Sequence, residues 1–228
     1  MLDRFTTRLI RPAVQALARP LLHLGISANH ITWTGFILGL LAATSVAAQA
    51  WMAGLLLLLC SRLCDALDGA VARSSAGATA VGGFLDIALD FMFYALMVLA
   101  FAIAEPSRNA LPAAVLLTAF VGTGSSFLAF AALAAQRGLH NPQYPDKSFY
   151  FLGGLTEATE TLALFCAMCV WPDYFAPLAY GFAALCFVTW MGRIAIGVQL
   201  LADAPARPQQ QATPQDKLSA KLGQDTGV

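Results

Sequence analysis

Four aspartates fall at regular spacings in the first half of the chain. Asp65 and Asp68 are three residues apart, and Asp86 and Asp90 are four residues apart, so each pair lies on one face of a helix. The two helices run antiparallel if the chain turns at Ser74–Gly77. At 1.5 Å per residue, Asp65 and Asp90 then each lie about 12 Å from the turn. The spacing predicts that all four carboxylates converge at a similar depth.

Four carboxylates in apolar helices need positive charge nearby. On insertion scales each costs about 2.5–3.5 kcal/mol at mid-helix, and only Arg62 and Arg73 are close in sequence. A divalent cation supplies the remaining charge, and an all-oxygen ligand set favours Mg²⁺ or Mn²⁺ over zinc, with calcium also possible. Two such ions can clamp a pyrophosphate and stabilise both oxygens of a displacement. The structural alternative is a buried network of aspartate and arginine that packs helices.

Small residues accompany the aspartates. Gly69 and Ala72 allow a ligand to approach the helix backbone closely, and Gly82 allows the helix of Asp86 to approach its neighbour or the ligand. The guanidinium of Arg73 offers a fork of donors to a phosphate. Together with the carboxylates, this pattern indicates chemistry on a phosphate ester.

The composition indicates a bilayer as the solvent for the elements that carry these residues. Of 228 residues, 58% are apolar and only 11% are charged, against about 25% charged in soluble domains. The net charge of zero argues against general nucleic-acid binding. The expected fold class is therefore an all-α, polytopic membrane protein.

Six stretches reach the length of about 20 residues that a membrane span requires. We place them near 30–48, 51–72, 80–103, 111–135, 149–171 and 174–201, within a six-helix domain over 29–203. Residues 1–28 read as an N-terminal amphipathic helix in the membrane interface, or alternatively as a solvated basic arm. Residues 204–228 lack apolar periodicity and are predicted to be a disordered cytoplasmic tail.

The distribution of lysine and arginine predicts the orientation of the spans. If both termini are cytoplasmic, the opposite side receives only Arg108. The aspartates then lie near the cytoplasmic face. The cytoplasmic side receives ten basic residues: Arg4, Arg8, Arg11, Arg19, Arg73, Arg137, Lys147, Arg207, Lys217 and Lys221.

The pattern D-x-x-D-G-x-x-A-R-x8-G-x3-D-x3-D, which runs from Asp65 to Asp90, resembles the signature of the CDP-alcohol phosphotransferases at every fixed position. The likeness covers roughly residues 1–200, including the six-helix layout. It extends to Asn29–Thr32 before the first span, where Ala28 stands in place of the proline that the family often shows.

The resemblance implies a membrane enzyme of phospholipid biosynthesis, in a bacterial inner membrane. It would transfer a substituted phosphate from a CDP-linked donor, CDP-diacylglycerol above all, to an alcohol acceptor and release CMP. Members are commonly homodimers. The resemblance assigns Asp65, Asp68 and Asp86 to metal, and Asp90 to the general base with a possible contact to the second ion. It assigns donor binding to Asp68, Gly69, Ala72, Arg73 and Gly82.

Further polar residues in apolar segments are candidates for an acceptor pocket or for a structural ion network, for example Arg193 with Glu160. The acceptor stays open between glycerol 3-phosphate, another polyol and an amino alcohol such as serine or choline. Inositol phosphate is disfavoured as the acceptor. In the branch of the family that uses it, basic residues, including one on helix five, resemble a phosphate clamp, whereas this chain has glutamates on helix five. A cation-coupled transporter is the alternative from another class. The candidate acceptor residues are Arg137, Lys147, Glu157, Glu160 and Arg193.

Overall fold

The computed structural model describes residues 3–74, 79–137 and 155–203. Regular secondary structure within these ranges is entirely helical, which confirms the all-α fold class. A short 3₁₀ turn, Pro172–Tyr174, precedes the last helix. The helices are α1 (Asp3–His23), α2 (Ala28–Ala47), α3 (Trp51–Ser74), α4 (Ala80–Ala104), α5 (Pro106–Gln136), α6 (Ala158–Val170) and α7 (Phe175–Asp203).

Local capping sets several of the helix starts. The Ser27 hydroxyl accepts from the backbone N–H of His30 at the start of α2, and the Thr79 hydroxyl accepts from that of Gly82 at 3.0 Å at the start of α4. Pro106 opens α5, where its missing N–H costs nothing. These signals place the starts of α2, α4 and α5 at or before the predicted spans.

Within the described ranges, four helical segments are long and apolar enough to cross a membrane. α3 has a comparable length of 24 residues, but its C-terminal half carries the charged residues of the signature. α6 has only 13 residues and begins at Ala158. The fifth span was predicted to start at residue 149, but α6 starts at Ala158, where Glu157 is the N-cap. Residues 138–154 lie outside the described ranges. The four segments are Ala28–Ala47, Ala80–Ala104, Pro106–Gln136 and Pro172–Ala202.

The apolar core joins α2 through α7 and is rich in aromatic rings. Phe101 stacks on Phe175 with ring centroids 5.0 Å apart, and Phe93 meets Phe165 edge-on at 6.4 Å. All four rings are fully buried. This packing fixes the relative positions of α4, α6 and α7, and the polar ends of α3 and α4 are set against it.

α1 packs on the end of α3 that carries the signature. Val14 and Ala18 are buried in one cluster with Ile31, Ala70 and Val71. On the other side of α1, the apolar residues Leu9, Ile10 and Leu17 are exposed. α1 is therefore held by the bundle on one face, while its free face is partly apolar.

Candidate functional site

Three of the four aspartates come together between α3 and α4. Carboxylate oxygens of Asp65, Asp68 and Asp86 all lie within 4.8 Å of one another. Asp68 is buried, Asp65 is half-buried and Asp86 is exposed, so the group opens on one side. The i, i+3 spacing places Asp65 and Asp68 on the same face of α3, and α4 supplies the third carboxylate, from Asp86.

The fourth aspartate is paired with an arginine. Arg62 Nη1 donates to Asp90 Oδ1 at 2.6 Å, and the same nitrogen lies 3.7 Å from Asp65 Oδ1. Arg62 is one turn before Asp65 on α3, so it reaches both acids. Asp90 thus lies next to the three-aspartate cluster (Asp65, Asp68 and Asp86), and the Arg62 guanidinium lies between Asp90 and Asp65.

α2 contributes the polar wall opposite the acids. Thr32 Oγ1 donates to Asp68 Oδ2 at 2.6 Å, and Ser61 Oγ on α3 donates to the Gly35 carbonyl oxygen at 2.7 Å. A Cβ added at Gly35 would lie 3.0 Å from Cys64 Cβ, so glycine is what allows α2 and α3 to approach here. The cleft is lined by Thr32, Gly35, Phe36, Ser61, Arg62, Asp65, Asp68, Asp86, Leu89 and Asp90.

The donor set fits a hard divalent cation. Three carboxylates from two helices offer only oxygen ligands, and their spacing lets one ion touch all three. The Thr32 hydroxyl orients one of these ligands from outside, as outer-shell groups do at metal sites. Mg²⁺ and Mn²⁺ both suit such a set.

The small residues of the signature are close in sequence to the aspartates but are not among the residues that line the cleft. The Arg73 guanidinium folds back over Gly69, where an added Cβ would lie 3.2 Å from Arg73 Nη1. Gly82 was predicted to let α4 approach the helix of Asp65 or the ligand. An added Cβ there would meet Thr79 Oγ1 at 3.1 Å and Asn29 Oδ1 of α2 at 3.7 Å. α4 therefore approaches the N-terminus of α2 at this glycine. Ala72 is half-buried one residue before Arg73.

The described residues predicted for an acceptor pocket lie away from the cleft lining, and within that set Arg193 and Glu157 are close enough to interact electrostatically. Arg193 Nη1 donates to the Thr123 carbonyl oxygen at 3.1 Å, and its guanidinium lies over the Phe127 ring at 5.6 Å. Arg137 donates to the Leu201 carbonyl oxygen. Among the described residues, none of the predicted acceptor set lines the cleft around the aspartates; Lys147 lies outside the described residues.

The two glutamates of that set have a local structural role. Glu157 and Glu160 form a reciprocal capping box at the start of α6, in which each side chain accepts from the backbone N–H of the other residue. The cap gives the buried Glu157 carboxylate a hydrogen-bond donor. The spacing that suggested a common helix face is also the spacing of a cap.

Sequence reasoning did not assign the contacts made by Arg62 and Thr32. The i, i+3 spacing of Arg62 and Asp65 was a usable signal for a pair on α3. No local signal points from Arg62 to Asp90, or from Thr32 to Asp68, because these contacts are 28 and 36 residues apart in sequence.

Comparison with known proteins places these features in context. The family profile described as CDP-alcohol phosphatidyltransferase matches residues 25–191. Inner membrane protein YnjF of Escherichia coli (strain K12) is 49% identical over 194 residues, which cover 85% of this chain and 94% of that protein. Archaetidylinositol phosphate synthase of Methanothermobacter thermautotrophicus is 38% identical over 91 residues, 40% of this chain and 44% of that enzyme, so less than half of it is matched.

Solved structures of Mycobacterium tuberculosis phosphatidylinositol phosphate synthase (PgsA1) share the fold. The structure with CDP-DAG bound has a TM-score of 0.61 at 20% identity and covers 87% of this chain and 98% of that one. The complex with manganese and citrate also has a TM-score of 0.61, at 21% identity, and covers 87% of this chain and 93% of that one.

Proposed function

Because this chain belongs to the CDP-alcohol phosphatidyltransferase family and is therefore a transferase acting on a CDP-linked donor and an alcohol, we propose that it transfers a phosphatidyl group from CDP-diacylglycerol to a polyol and releases CMP. The observation that carries the proposal is the three-aspartate cluster beside the Arg62–Asp90 pair. A phosphatidylinositol phosphate synthase with the same fold has been solved with CDP-DAG bound, which supports the choice of donor. Family membership decides against the cation-coupled transporter.

Each part of the cleft has a role in this reaction. Asp65, Asp68 and Asp86 would hold Mg²⁺ or Mn²⁺, for which we propose two ions; a manganese complex of the structural relative supports this cofactor class. When bound, the ions neutralise the pyrophosphate and stabilise the departing CMP oxygen. Gly69, Ala72 and Gly82 would leave room for the CDP moiety, with Asp68 at its edge. Arg73, folded over Gly69, would grip a phosphate.

The proposed reaction forms one P–O bond and breaks another. The acceptor hydroxyl oxygen attacks the phosphorus that carries the diacylglycerol, a new P–O bond forms, and the P–O bond to CMP breaks. An alcohol is a weak nucleophile at neutral pH, so a nearby carboxylate should take its proton. We assign this to Asp90, which lies at the border of the cluster and whose Oδ2 has no hydrogen-bond partner among the described residues.

The polyol acceptor is supported by family relatives and constrained by α6. The archaeal relative is named an archaetidylinositol phosphate synthase, but Glu157 and Glu160 occupy the start of α6 here. These acids stand where the inositol-phosphate branch has a basic residue, which weakens only that acceptor; they do not line the cleft and leave glycerol 3-phosphate open. Glycerol 3-phosphate or another polyol is our first choice, with an amino alcohol as the alternative. Arg137 and Arg193 lie outside the cleft lining, so any contact of theirs with the acceptor requires a ligand that extends beyond it.

The membrane setting follows from the helices and the basic residues. We propose six spans, counting α3 and α6 with the four long apolar segments, in a bacterial inner membrane, as the name of the Escherichia coli relative supports. Both termini and the cleft would face the cytoplasm. The exposed apolar residues of α1, such as Leu9 and Leu17, support its placement in the membrane interface. We also propose a homodimer; the C-terminal tail predicted over residues 204–228 lies outside the described residues.

The test is a transferase assay on the purified protein with CDP-diacylglycerol, Mg²⁺ and a panel of acceptors. The panel comprises glycerol 3-phosphate, inositol, inositol phosphate, serine and choline. CMP release and the lipid product are scored for each, with Asp65→Asn as the inactive control. We expect CMP release that depends on a polyol. A product formed only with serine or choline would reject the polyol assignment, and CMP release with none of the acceptors would reject the function.

A further inference from the structure

Arg62 is a partly buried cation between two parts of the cleft. Its side chain is 13% exposed, and Nη1 lies 2.6 Å from Asp90 Oδ1 and 3.7 Å from Asp65 Oδ1. Asp90 belongs to α4, and Asp65 to the same helix as Arg62. One guanidinium therefore joins an acid of the three-aspartate cluster to the acid that lies outside it.

The position of the Arg62 guanidinium is fixed by its surroundings. Nη2 donates to Ser61 Oγ at 3.2 Å, and Ser61 Oγ donates in turn to the Gly35 carbonyl oxygen at 2.7 Å. The guanidinium carbon lies 4.2 Å from the centroid of the Phe93 ring, a distance at which the ring face attracts a cation. Phe93 is itself fully buried. The Phe93 ring and the Ser61 hydroxyl thus both hold the Arg62 guanidinium in place.

The Arg62 guanidinium is not arranged for stability alone. Its Nε is buried and has no hydrogen-bond partner among the described residues. A buried N–H without a partner costs free energy. In this conformation the terminal nitrogens of Arg62 donate to Asp90 and Ser61, which also line the cleft.

We propose that Arg62 is a positioning residue that keeps Asp90 apart from the three-aspartate cluster, so that four neighbouring carboxylates divide into three metal ligands and one proton acceptor. The role of Asp90 in this division rests on the proposed function. The hydrogen bond engages Oδ1 of Asp90, and Asp90 lines the cleft. Without the guanidinium, Asp90 would be free to turn towards a cation held by Asp65 and to become a fourth ligand.

The experiment measures Mn²⁺ affinity, because this readout needs neither donor nor acceptor. The wild type, Asp90→Asn, Arg62→Met and the double variant are titrated with Mn²⁺ alone and followed by electron paramagnetic resonance. We expect Asp90→Asn to leave the affinity close to wild type, because the Arg62 guanidinium already holds Asp90 away from the ion. Arg62→Met should bind Mn²⁺ about tenfold or more tightly, the scale of changes in groups around a metal site. Adding Asp90→Asn to Arg62→Met should remove most of that gain.

Two outcomes overturn the proposal. If Arg62→Met binds Mn²⁺ no more tightly than wild type, Arg62 does not restrain Asp90. If the gain persists undiminished in the double variant, Arg62 acts only through its charge on the cluster. Arg108→Met is the matched control: it removes an exposed arginine that pairs with Glu105 and Asp173 at the α4–α5 junction. It should leave Mn²⁺ affinity unchanged.

Conservative variants keep the test valid if Arg62→Met folds poorly. Arg62→Lys retains a cation near Asp90 and should keep Mn²⁺ affinity close to wild type, whereas Arg62→Gln should behave like Arg62→Met; equal affinities for these two variants would overturn the proposal. Folding is checked by thermal unfolding of each purified variant.

A kinetic arm separates this proposal from the proposed function. CMP release by Arg62→Met should show a turnover about 10- to 100-fold lower, with the Michaelis constant for CDP-diacylglycerol close to that of wild type. If the wild type releases no CMP, the proposed function fails, while the Mn²⁺ titrations still decide the role of Arg62.

Discussion

The Thr32 hydroxyl on α2 donates to Asp68 Oδ2 on α3 at a distance of 2.6 Å. Asp68 is 7% exposed, so a hydrogen bond from the neighbouring helix compensates for much of its lost contact with water. The same bond fixes the direction of a carboxylate in the three-aspartate cluster. A helix that carries no acid of its own thereby shapes the metal site.

Thr32→Val tests this contact, because it removes the hydroxyl at nearly constant volume. We expect a Mn²⁺ affinity about 10- to 100-fold lower, the usual effect of losing an outer-shell partner, and near-wild-type affinity in Thr32→Ser. Thr34→Val is the matched control, since the Thr34 hydroxyl donates only to the His30 carbonyl oxygen of its own helix at 2.8 Å. Equal affinities in Thr32→Val and Thr34→Val would show that the bond does not orient a ligand.

The three clustered aspartates should each be required. Asp65→Asn, Asp68→Asn and Asp86→Asn remove a formal negative charge and a strong ligand from the set within 4.8 Å. Loss of a metal clamp should remove several kcal/mol of transition-state stabilisation, so CMP release should fall to nearly nothing while the protein still inserts into the membrane. Asp173→Asn, an 81% exposed acid on the 3₁₀ turn, serves as the control. Near-wild-type turnover at subsaturating Mg²⁺ in any of the three contradicts its role as a ligand.

Activity should depend absolutely on a divalent cation. Excess chelator should abolish CMP release, and added Mg²⁺ or Mn²⁺ should restore it. Zn²⁺ should not, because the described cluster offers carboxylate oxygens alone, without histidine or thiolate. Full activity in excess chelator would refute the metal assignment.

The sequence was informative wherever periodicity sets geometry. The i, i+3 and i, i+4 spacings predicted that all four carboxylates converge; three of them meet within 4.8 Å, and Asp90 is paired with Arg62 beside them. The contact of Arg62 with Asp90 was out of reach, since it depends on the rotation of α3 relative to α4, and packing of rings such as Phe93 sets that rotation. At Glu157 and Glu160 the same spacing supported two interpretations, a pocket face and a capping box, and the structure has the capping box.

Gly39 is the position in α2 where a single methyl group should do most harm. A Cβ there would lie 2.7 Å from Phe93 Cδ2 and 3.2 Å from Ser61 Oγ, and Phe93 is 1% exposed. Overpacking of this kind costs about 1–3 kcal/mol, so Gly39→Ala should lower the unfolding temperature. Gly181→Ala on α7 has nothing within 4 Å of its added Cβ and is the control. Equal unfolding temperatures for the two variants would mean that Phe93 can move aside.

Asp90→Asn separates a base from a ligand. Asp90 lies four residues beyond Asp86 on α4, yet its Oδ1 is engaged by Arg62 at 2.6 Å and it stands outside the three-aspartate cluster. A general base contributes typically about 100- to 10,000-fold, so turnover should fall by that factor. Binding of CDP-diacylglycerol in Mg²⁺, measured by calorimetry, should stay close to wild type. Asp65→Asn is the comparison, because it should lose donor binding as well as rate. If Asp90→Asn loses donor binding as severely, Asp90 is chiefly a fourth ligand. The proton must then leave the acceptor by another route, since Arg62 remains protonated and cannot accept it.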